Sequence, residues 1–274
     1  MLEIPEAKVV AQQFNETIKG KKIANVVADY SPHKFAFYFG EPSEYNKLLH
    51  GKTIGKSNNY GGIVETTVED CKIILGDGVR LIYGENGDKV PCKHQLLLNF
   101  TDGSFLASSV QMYGGMWCFR DGENDNPYHK VAKVKPSPLS SEFDEEYFKS
   151  LISEKDNKLS VKAFLATKQR IPGLGNGVLQ DILWKANINP RTKMNLLEEE
   201  RIKKLFLSIK NTLKEMTENG GRDTEKDIFG IKGRYETVMS SKNKGKVCPV
   251  CGEEIIKEAY LGGSVYYCAG CQYK

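Results

Sequence analysis

The spacing of apolar residues predicts one helix and then a β-rich region. Val10, Phe14 and Ile18 recur at helical spacing after Pro5, and Gly20 follows, so a helix is expected near the start. Short β-branched and aromatic runs, separated by turns, then lie at 23–30, 35–39, 63–68, 72–75, 80–83, 95–100 and 104–108. This pattern predicts a β-sandwich or barrel, with one small helix over 43–50.

The second half of the chain changes to a helical pattern. Pro136 and Pro138 favour an extended connector. Beyond them, helices are predicted over 143–152, 161–167 and 178–186, followed by a long helix that starts at Asn195, with Glu198 completing a capping box. We therefore expect an α+β multidomain protein with a β-sandwich over residues 1–132, a helical domain over 133–232 and a small terminal domain over 233–274.

The terminal domain contains two Cys-x-x-Cys pairs. Cys248 and Cys251 form the first pair, and Cys268 and Cys271 form the second pair sixteen residues later. Four thiolates at this spacing predict a closed, structural zinc site that stabilises a small β-hairpin. The alternative is two disulfides, which would require an oxidising compartment.

Charge is unevenly distributed along the chain. The net charge is +4; residues 1–130 carry 14 basic and 16 acidic side chains, whereas the rest carry 25 and 19. Basic residues cluster just before the cysteines: Lys232, Arg234, Lys242, Lys244 and Lys246. Such a cluster is typical of phosphate binding or of a solvated linker. No apolar run is long enough to span a membrane and the N-terminus lacks a signal pattern, so we expect a cytoplasmic protein, nucleoid-associated if prokaryotic.

A turn rich in glycine interrupts the helical half. Residues 171–177 contain one proline and three glycines, which force two tight turns and leave backbone N–H groups bare at the next helix start. This arrangement suits a phosphate, with Asn176 as an additional donor beside Gly175. The alternative is a plain connection between two helices.

Together these stretches resemble the formamidopyrimidine-DNA glycosylase and endonuclease VIII family of base-excision repair proteins. The resemblance covers residues 3–6, the β-rich half, 138–140, the Gly-Leu-Gly-Asn turn at 173–176, Asn189-Pro190, Gly220-Gly221 and the four-cysteine hairpin. It implies an N-terminal β-sandwich, a helix-two-turn-helix domain and a C-terminal zinc finger. It also implies that double-stranded DNA, in particular damaged DNA, binds between the two halves, with Asn176 on a backbone phosphate.

The family's chemistry implies a nucleophile that this chain lacks. Members flip the damaged base and attack the sugar with the amine of an N-terminal proline, while a neighbouring glutamate transfers protons. Glu3 matches that glutamate, but position 2 is Leu2. Because Met1 is expected to stay in place before a bulky residue, the Leu2 nitrogen would be an amide. The free amine of Met1 would then be the candidate nucleophile, one residue farther from Glu3.

Other positions also differ from the family pattern. Gly61 takes the place of a lysine that binds DNA phosphate, with Lys56 the nearest substitute, and Gly263 takes the place of the zinc-finger arginine. The loop predicted over 76–78 lacks the family's apolar wedge, and 111–114 replaces an arginine-rich loop. Met112 or Tyr113 is a candidate to fill the gap left by a flipped base.

Three functions remain open from the sequence. The first is a DNA-binding repair protein that acts as a DNA glycosylase and abasic-site lyase for oxidised bases. The second is a non-catalytic reader of damaged or distorted DNA, and the third is an RNA-associated zinc protein. In each case we expect a monomer, because no heptad or large apolar stripe is present.

Overall fold

The computed structural model describes residues 2–272. Its helices are α1 (Ile4–Thr17), α2 (Tyr45–Leu49), α3 (Pro127–Val134), α4 (Glu145–Ser150), α5 (Val161–Ala166), α6 (Asn176–Lys185) and α7 (Glu199–Glu218). Its strands are β1 (Ile23–Ala28), β2 (Ala36–Phe37), β3 (Ile54–Tyr60), β4 (Ile63–Val68), β5 (Cys71–Gly84), β6 (Leu96–Phe100), β7 (Phe105–Arg120), β8 (Ile255–Tyr260) and β9 (Gly263–Cys268). Short 3₁₀ turns lie at 42–44, 154–156, 194–196 and 241–243.

The predicted β-sandwich is confirmed, and two long strands build it. β5 and β7 pair antiparallel over almost their whole length, and their register shifts between Asp77 and Val79. Before the shift, β5 extends the layer of β3 and β4; after it, β5 and the first half of β7 join the layer of β6 and β1. An irregularity of this kind bends a strand, so one hydrogen-bonded sheet forms both layers.

Helix α1 packs against the interior of the sandwich. Pro5 occupies the first turn, and Val10, Phe14 and Ile18 belong to the buried core between the layers. A second core lies in the helical half, among α4 to α7. Leu2 belongs to the first core, whereas Ile4 belongs to the second. The start of the chain therefore lies at the junction of the two halves.

Two expectations for the helical region are wrong in detail. The long helix does not begin with a capping box at Asn195, because 194–196 forms a 3₁₀ turn and α7 starts at Glu199. Helix α3 was not expected from the apolar pattern. The Asn126 side chain caps it by accepting hydrogen bonds from the backbone N–H groups of Tyr128 and His129. A local side-chain cap thus accounts for the start of α3, whereas α7 starts without a side-chain cap, after the 3₁₀ turn.

The segments at 76–78 and 111–114 were expected to be loops, and this expectation is also wrong. Both lie within the long strands β5 and β7. They meet at the register shift, where the Gly78 position lies against the backbone of Tyr113. Among the described residues, no helix is long and apolar enough to cross a membrane.

Candidate functional site

The first described residues are held by backbone hydrogen bonds to both halves of the protein. The Leu2 N–H donates to the carbonyl oxygen of Asp77 at 2.8 Å, and the Ile4 N–H donates to that of Gly173 at 3.1 Å. The Leu2 side chain is only 8% exposed. Leu2 is therefore both a core residue and a backbone donor, while Met1, the candidate nucleophile, lies outside the described residues.

Glu3 binds the N-terminus of α6. Its carboxylate accepts hydrogen bonds from the backbone N–H groups of Gly177 at 2.9 Å and Val178 at 2.7 Å. These N–H groups belong to the first turn of the helix, where they have no partner within the helix and attract negative charge. Glu3 is almost completely buried, so this contact joins the sandwich to the helical half away from solvent.

Arg222 forms a buried ion-pair cluster with two glutamates. Its Nε and Nη2 each donate to the Glu6 carboxylate at 2.9 Å, and its Nη1 lies 3.6 Å from Glu3 Oε2. Burial raises the pKa of Glu3, and Arg222 opposes this effect only in part. Burial would also raise the pKa of Glu6, but the two hydrogen bonds and the charge of Arg222 outweigh it, so that pKa is lowered. The paired guanidinium holds Glu6 as a carboxylate, whereas Glu3 retains a proton more readily.

A cavity of about 210 Å³ lies beside Leu2, between α1, β5 and the segment that follows Arg222. This volume is many times what one water molecule needs. Its lining comes from both halves of the protein: Leu2, Glu6, Val10, Gly78, Val79, Arg80, Leu81, Gln111, Thr224, Glu225, Lys226 and Lys232. Lys232, predicted from the basic cluster as a DNA contact, therefore lies at this cavity.

The turn between β3 and β4 packs directly on the glycine-rich turn of the helical half. Gly61 has φ of +57°, and a Cβ atom there would lie 2.6 Å from the carbonyl oxygen of Pro172. A Cβ atom at Gly173 would lie 2.0 Å from the backbone nitrogen of Gly62. No side chain fits between these backbones, so a lysine at position 61 would have to move them apart. Lys56 lies on β3 and is exposed.

Asn176 and Gly175 lie where the glycine-rich turn meets α6 and the C-terminal hairpin. The Asn176 Nδ2 donates to the carbonyl oxygen of Ser264 at 2.9 Å. A Cβ atom at Gly175 would lie 2.6 Å from Glu3 Oε1, so only glycine allows the carboxylate this close. A Cβ atom at Gly263 would lie 3.7 Å from both Asn176 Nδ2 and Lys162 Nζ. The phosphate contacts expected of Asn176 and Gly175 remain predictions.

The candidate gap-filling side chains are exposed. Met112 and Tyr113 are 69% and 42% exposed, on the part of β7 that adjoins Asp77. The next residue, Gly114, donates its N–H to the carbonyl oxygen of Phe35 at 3.0 Å. Phe35 is also exposed, so three large side chains face solvent close to the junction. Arg234, the other predicted DNA contact, is exposed, and its backbone N–H donates to the carbonyl oxygen of Asn219 at 2.9 Å.

The four predicted metal ligands converge. Their Sγ atoms all lie within 4.8 Å of one another, with 3.7 Å between Cys248 and Cys271 and 3.2 Å between Cys251 and Cys268. A tetrahedral site with Zn–S bonds of about 2.3 Å requires sulfurs about 3.8 Å apart. Disulfides require about 2.05 Å, and all four cysteines are free. The donor set therefore fits a structural zinc ion.

The hairpin of β8 and β9 docks on the helical half through polar side chains that the sequence did not single out. Gln180 donates to the Ser264 carbonyl at 3.0 Å and accepts from the Tyr266 N–H at 3.1 Å. Lys162 donates from Nζ to the carbonyl oxygen of Tyr260 at 2.5 Å. Arg191 stacks on the Tyr260 ring and pairs with Glu258. For Lys162 and Gln180 the signal in the sequence is polarity at positions of α5 and α6 that the helical pattern would bury, whereas Arg191 lies after α6 and has no such signal.

Comparison with known proteins gives consistent relatives. The family model described as the formamidopyrimidine-DNA glycosylase H2TH domain matches residues 134–227. The formamidopyrimidine-DNA glycosylase of Bacillus licheniformis is 30% identical over 280 residues, and that of Bacillus subtilis is 28% identical over 281 residues, with 100% of each chain covered. A solved complex of Lactococcus lactis Fpg with DNA containing an abasic site matches with a TM-score of 0.83 at 26% identity, covering 99% of this chain and 100% of that chain. A complex of the same protein with DNA containing Fapy-dG gives 0.82 at 27% identity, with the same coverage.

Proposed function

The chain belongs to the formamidopyrimidine-DNA glycosylase family, and on that premise we propose that it binds damaged or distorted duplex DNA between its β-sandwich and its helical half. The observation that carries this proposal is the meeting of Leu2, Glu3 and the start of α6 beside a cavity at the junction. The structural relatives hold DNA with an abasic site or Fapy-dG. Base-excision repair is the process in which such a protein would act.

The cavity beside Leu2 is our candidate for the pocket that receives a flipped base. Proteins that act on a base in a duplex must move it out of the stack into a pocket. Val10, Val79 and Leu81 supply apolar walls on which a planar ring can pack, and Gln111 and Thr224 supply polar groups. The exposed side chains of Met112 and Tyr113 would fill the space that the base leaves in the duplex.

DNA phosphates would be held mainly by the helical half and the hairpin. We assign this role to Asn176, Gly175 and Arg234, with Lys56 contributing from the sandwich. The basic excess of the second half of the chain supports this assignment. We further propose that Cys248, Cys251, Cys268 and Cys271 bind Zn²⁺, which would stabilise the hairpin and leave no position open for a reacting water.

The geometry around Glu3 supports proton transfer. Burial raises the pKa of this carboxyl, which favours the protonated form that a general acid needs. In contrast, the Leu2 nitrogen is an amide that donates its hydrogen to Asp77, so it has no lone pair for attack on a sugar. We therefore assign the nucleophile of any Schiff-base step to the α-amine of Met1.

A non-catalytic reader of lesions is the second candidate function. The buried side chain and the hydrogen-bonded amide of Leu2 favour it, because they fix the residue that precedes Glu3. A reader would bind damaged DNA in a salt-dependent manner and release it intact. Both candidates use the same interface and differ only in whether an amine reaches C1′ of the sugar.

Borohydride trapping separates these two functions. The purified protein, with Met1 confirmed by intact mass, is mixed with duplexes that carry an abasic site, an oxidised guanine or an oxidised pyrimidine. Binding is titrated on the same duplexes and on structured RNA. An adduct mapped to the N-terminal peptide shows a lyase, and damage-selective binding without an adduct shows a reader. Binding to structured RNA alone would contradict both.

The role of Glu3 is tested by Glu3→Gln, with Glu16→Gln as the matched control because Glu16 is exposed on the same helix. If Glu3 transfers a proton, the Gln variant still binds the abasic duplex but forms the adduct at least tenfold more slowly. The control variant should match the wild type. Equal trapping by Glu3→Gln and the wild type would remove Glu3 from the mechanism.

A further inference from the structure

The segment that follows Arg222 forms a small hairpin over the cavity, and both of its ends are fixed. Within this 224–233 hairpin, the Asp227 N–H donates to the Ile231 carbonyl at 2.9 Å. The hairpin begins two residues after Arg222, whose side chain is paired with Glu6. Its tip inserts the fully buried Ile228 into the sandwich core, and the Ile228 carbonyl accepts from the Tyr83 N–H at 2.7 Å. The backbone of this hairpin is thus held in a defined position above the cavity.

Two lysines lie opposite each other across this hairpin. Lys226 and Lys232 are antiparallel bridge partners, so their side chains leave the hairpin on the same face. Both line the cavity, as do Arg80 and two carboxylates, Glu225 and Glu6, of which Glu6 is paired with Arg222. Within residues 2–272, neither lysine forms an ion pair. Like charges directly opposite in a strand pair are destabilising, so this arrangement is costly unless an anion lies between them.

The walls of the cavity distinguish between two sources of that anion. Leu2, Val10, Val79 and Leu81 are apolar and belong to the sandwich core. A backbone phosphate gains no binding energy from apolar walls, because it is compact and carries its charge on its exposed oxygens. A planar base buries its faces against apolar side chains and can present one charged edge to the lysines.

We propose that this cavity accepts a flipped nucleobase that carries a negatively charged oxygen substituent, held between Lys226 and Lys232. This inference rests on the proposed function, since it requires that DNA bind and that a base enter the cavity. It adds a chemical class of substrate: oxidised bases with a carboxylate or an ionised ring oxygen, in preference to neutral bases of the same size.

The test compares three duplexes of one sequence that carry 5-carboxyuracil, 5-hydroxymethyluracil or a tetrahydrofuran abasic analogue. The first two bases differ by one negative charge and little in size. Fluorescence anisotropy at two salt concentrations should show about tenfold tighter binding of the carboxyl duplex than of the hydroxymethyl duplex, as expected for a charge-assisted hydrogen bond in a partly enclosed site. Lys226→Gln should abolish this preference while leaving binding to the tetrahydrofuran duplex unchanged, and Lys232→Gln should abolish the preference as well.

Lys89→Gln is the matched control, because Lys89 is an exposed lysine on the sandwich that does not line the cavity. It should retain the full preference for the carboxyl duplex. If Lys226→Gln and Lys232→Gln instead weaken all three duplexes equally and reduce the salt dependence, the lysines bind backbone phosphate and the inference is wrong. Equal binding of the two base duplexes by the wild type would also overturn it.

A titration with free 5-carboxyuracil, followed by protein chemical shifts, separates failure of this inference from failure of the proposed function. If no duplex binds, the proposed function is wrong. The cavity is then judged by whether the free base shifts signals of the 224–233 hairpin in the wild type but not in Lys226→Gln. No shift in the wild type would overturn the inference as well.

Discussion

The two ends of the chain dock on the same helix, α6, through different chemistry. At the N-terminal end, the Glu3 carboxylate accepts from the backbone N–H groups of Gly177 and Val178, and Arg222 balances its charge. At the C-terminal end, the side chains of Asn176 and Gln180 hold one carbonyl oxygen of the hairpin. We call these two interfaces the N-terminal dock and the C-terminal dock. The N-terminal dock uses backbone N–H groups of α6 and buried charges. The C-terminal dock uses side chains of α6 and neutral hydrogen bonds.

This difference shows where each dock derives its stability. The residues of the N-terminal dock are part of both hydrophobic cores. Leu2 is buried in the core of the sandwich, and Ile4 is buried in the core of the helical half. The hairpin has only two strands and a small cluster of its own, which includes Cys248, Cys268 and Cys271. A two-stranded hairpin is marginal alone in water, so the proposed zinc ion would supply much of its stability. The N-terminal dock should therefore survive changes that unfold the C-terminal one.

Removal of a metal ligand should have the largest effect and should break only the C-terminal dock. Structural Zn²⁺ contributes on the order of 10 kcal/mol to small domains, so Cys251→Ser or a strong chelator should unfold the hairpin. Hydrogen exchange of the β8 and β9 amides should become fast, while exchange in β5 and β7 stays slow. Cys92→Ser, at an exposed cysteine outside the cluster, is the control and should leave exchange unchanged. Continued protection of β8 and β9 after ligand removal would refute the dependence on metal.

Arg222→Met should have the next largest effect and should weaken the N-terminal dock. The substitution leaves Glu3 and Glu6 buried without their cation, which typically destabilises by about 3–5 kcal/mol. Urea unfolding measures this loss. Arg234→Met removes the same charge from an exposed position and should change stability by less than about 0.5 kcal/mol. Similar values for the two variants would mean that the buried cluster adds no stability.

Gln180→Ala should have a smaller effect, confined to the C-terminal dock. It removes two hydrogen bonds to the hairpin backbone and leaves the Tyr266 N–H without its partner, at a cost of about 1–3 kcal/mol. Faster hydrogen exchange at β9, with the metal still bound, is the expected readout. Gln12→Ala on the exposed face of α1 serves as the control. If exchange at β9 does not change, the side-chain contacts of α6 are not what holds the hairpin.

Acidification should have the smallest effect, and its sign differs between the two glutamates of the N-terminal dock. Because folding lowers the pKa of Glu6, this carboxylate stabilises the protein at pH values above its ordinary pKa of 4.5. The stabilisation is lost as the pH falls from 4.5 through the lower pKa of the folded state. The raised pKa of Glu3 acts in the opposite direction, because its protonated form is favoured in the folded state and stability falls as the pH rises past 4.5. Glu3→Gln removes the opposing contribution, so it should lose more stability than the wild type between pH 5 and pH 3. A smaller loss in the variant, measured by urea unfolding, would reverse the assigned directions.

Features carried by local patterns were predictable from the sequence. The apolar periodicity of α1, the alternation in the strands and the spacing of the cysteines each depend on residues close together in the chain. Arg222 was missed because its partner Glu6 lies 216 residues away, and nothing near position 222 signals that contact. The cavity was missed for the same reason, since α1, β5 and the 224–233 hairpin meet only in the folded protein. Lys232 was predicted as a DNA contact, but its pairing with Lys226 was not.

The errors in strand boundaries have a tertiary cause, the pairing of β5 with β7. The segments at 76–78 and 111–114 contain glycines and polar residues typical of loops, yet β5 and β7 pair on both sides of the register shift, with Asp77 opposite Gly114 and Val79 opposite Val110. The shift of register absorbs the irregularity, so the glycines sit within strands rather than ending them. Tertiary pairing overrode the local preference at the part of the sandwich that faces the junction.

The burial of the Leu2 side chain limits which residues this position can accept. If the family's proline once stood at this position, a single change back to proline would remove an apolar side chain from the sandwich core. It would also delete the N–H group that Asp77 accepts from. The restored amine would therefore come with a loss of folded stability, unless neighbours such as Val79 changed first. A residue that belongs to the core at this position therefore makes an N-terminal proline difficult to reach by one substitution.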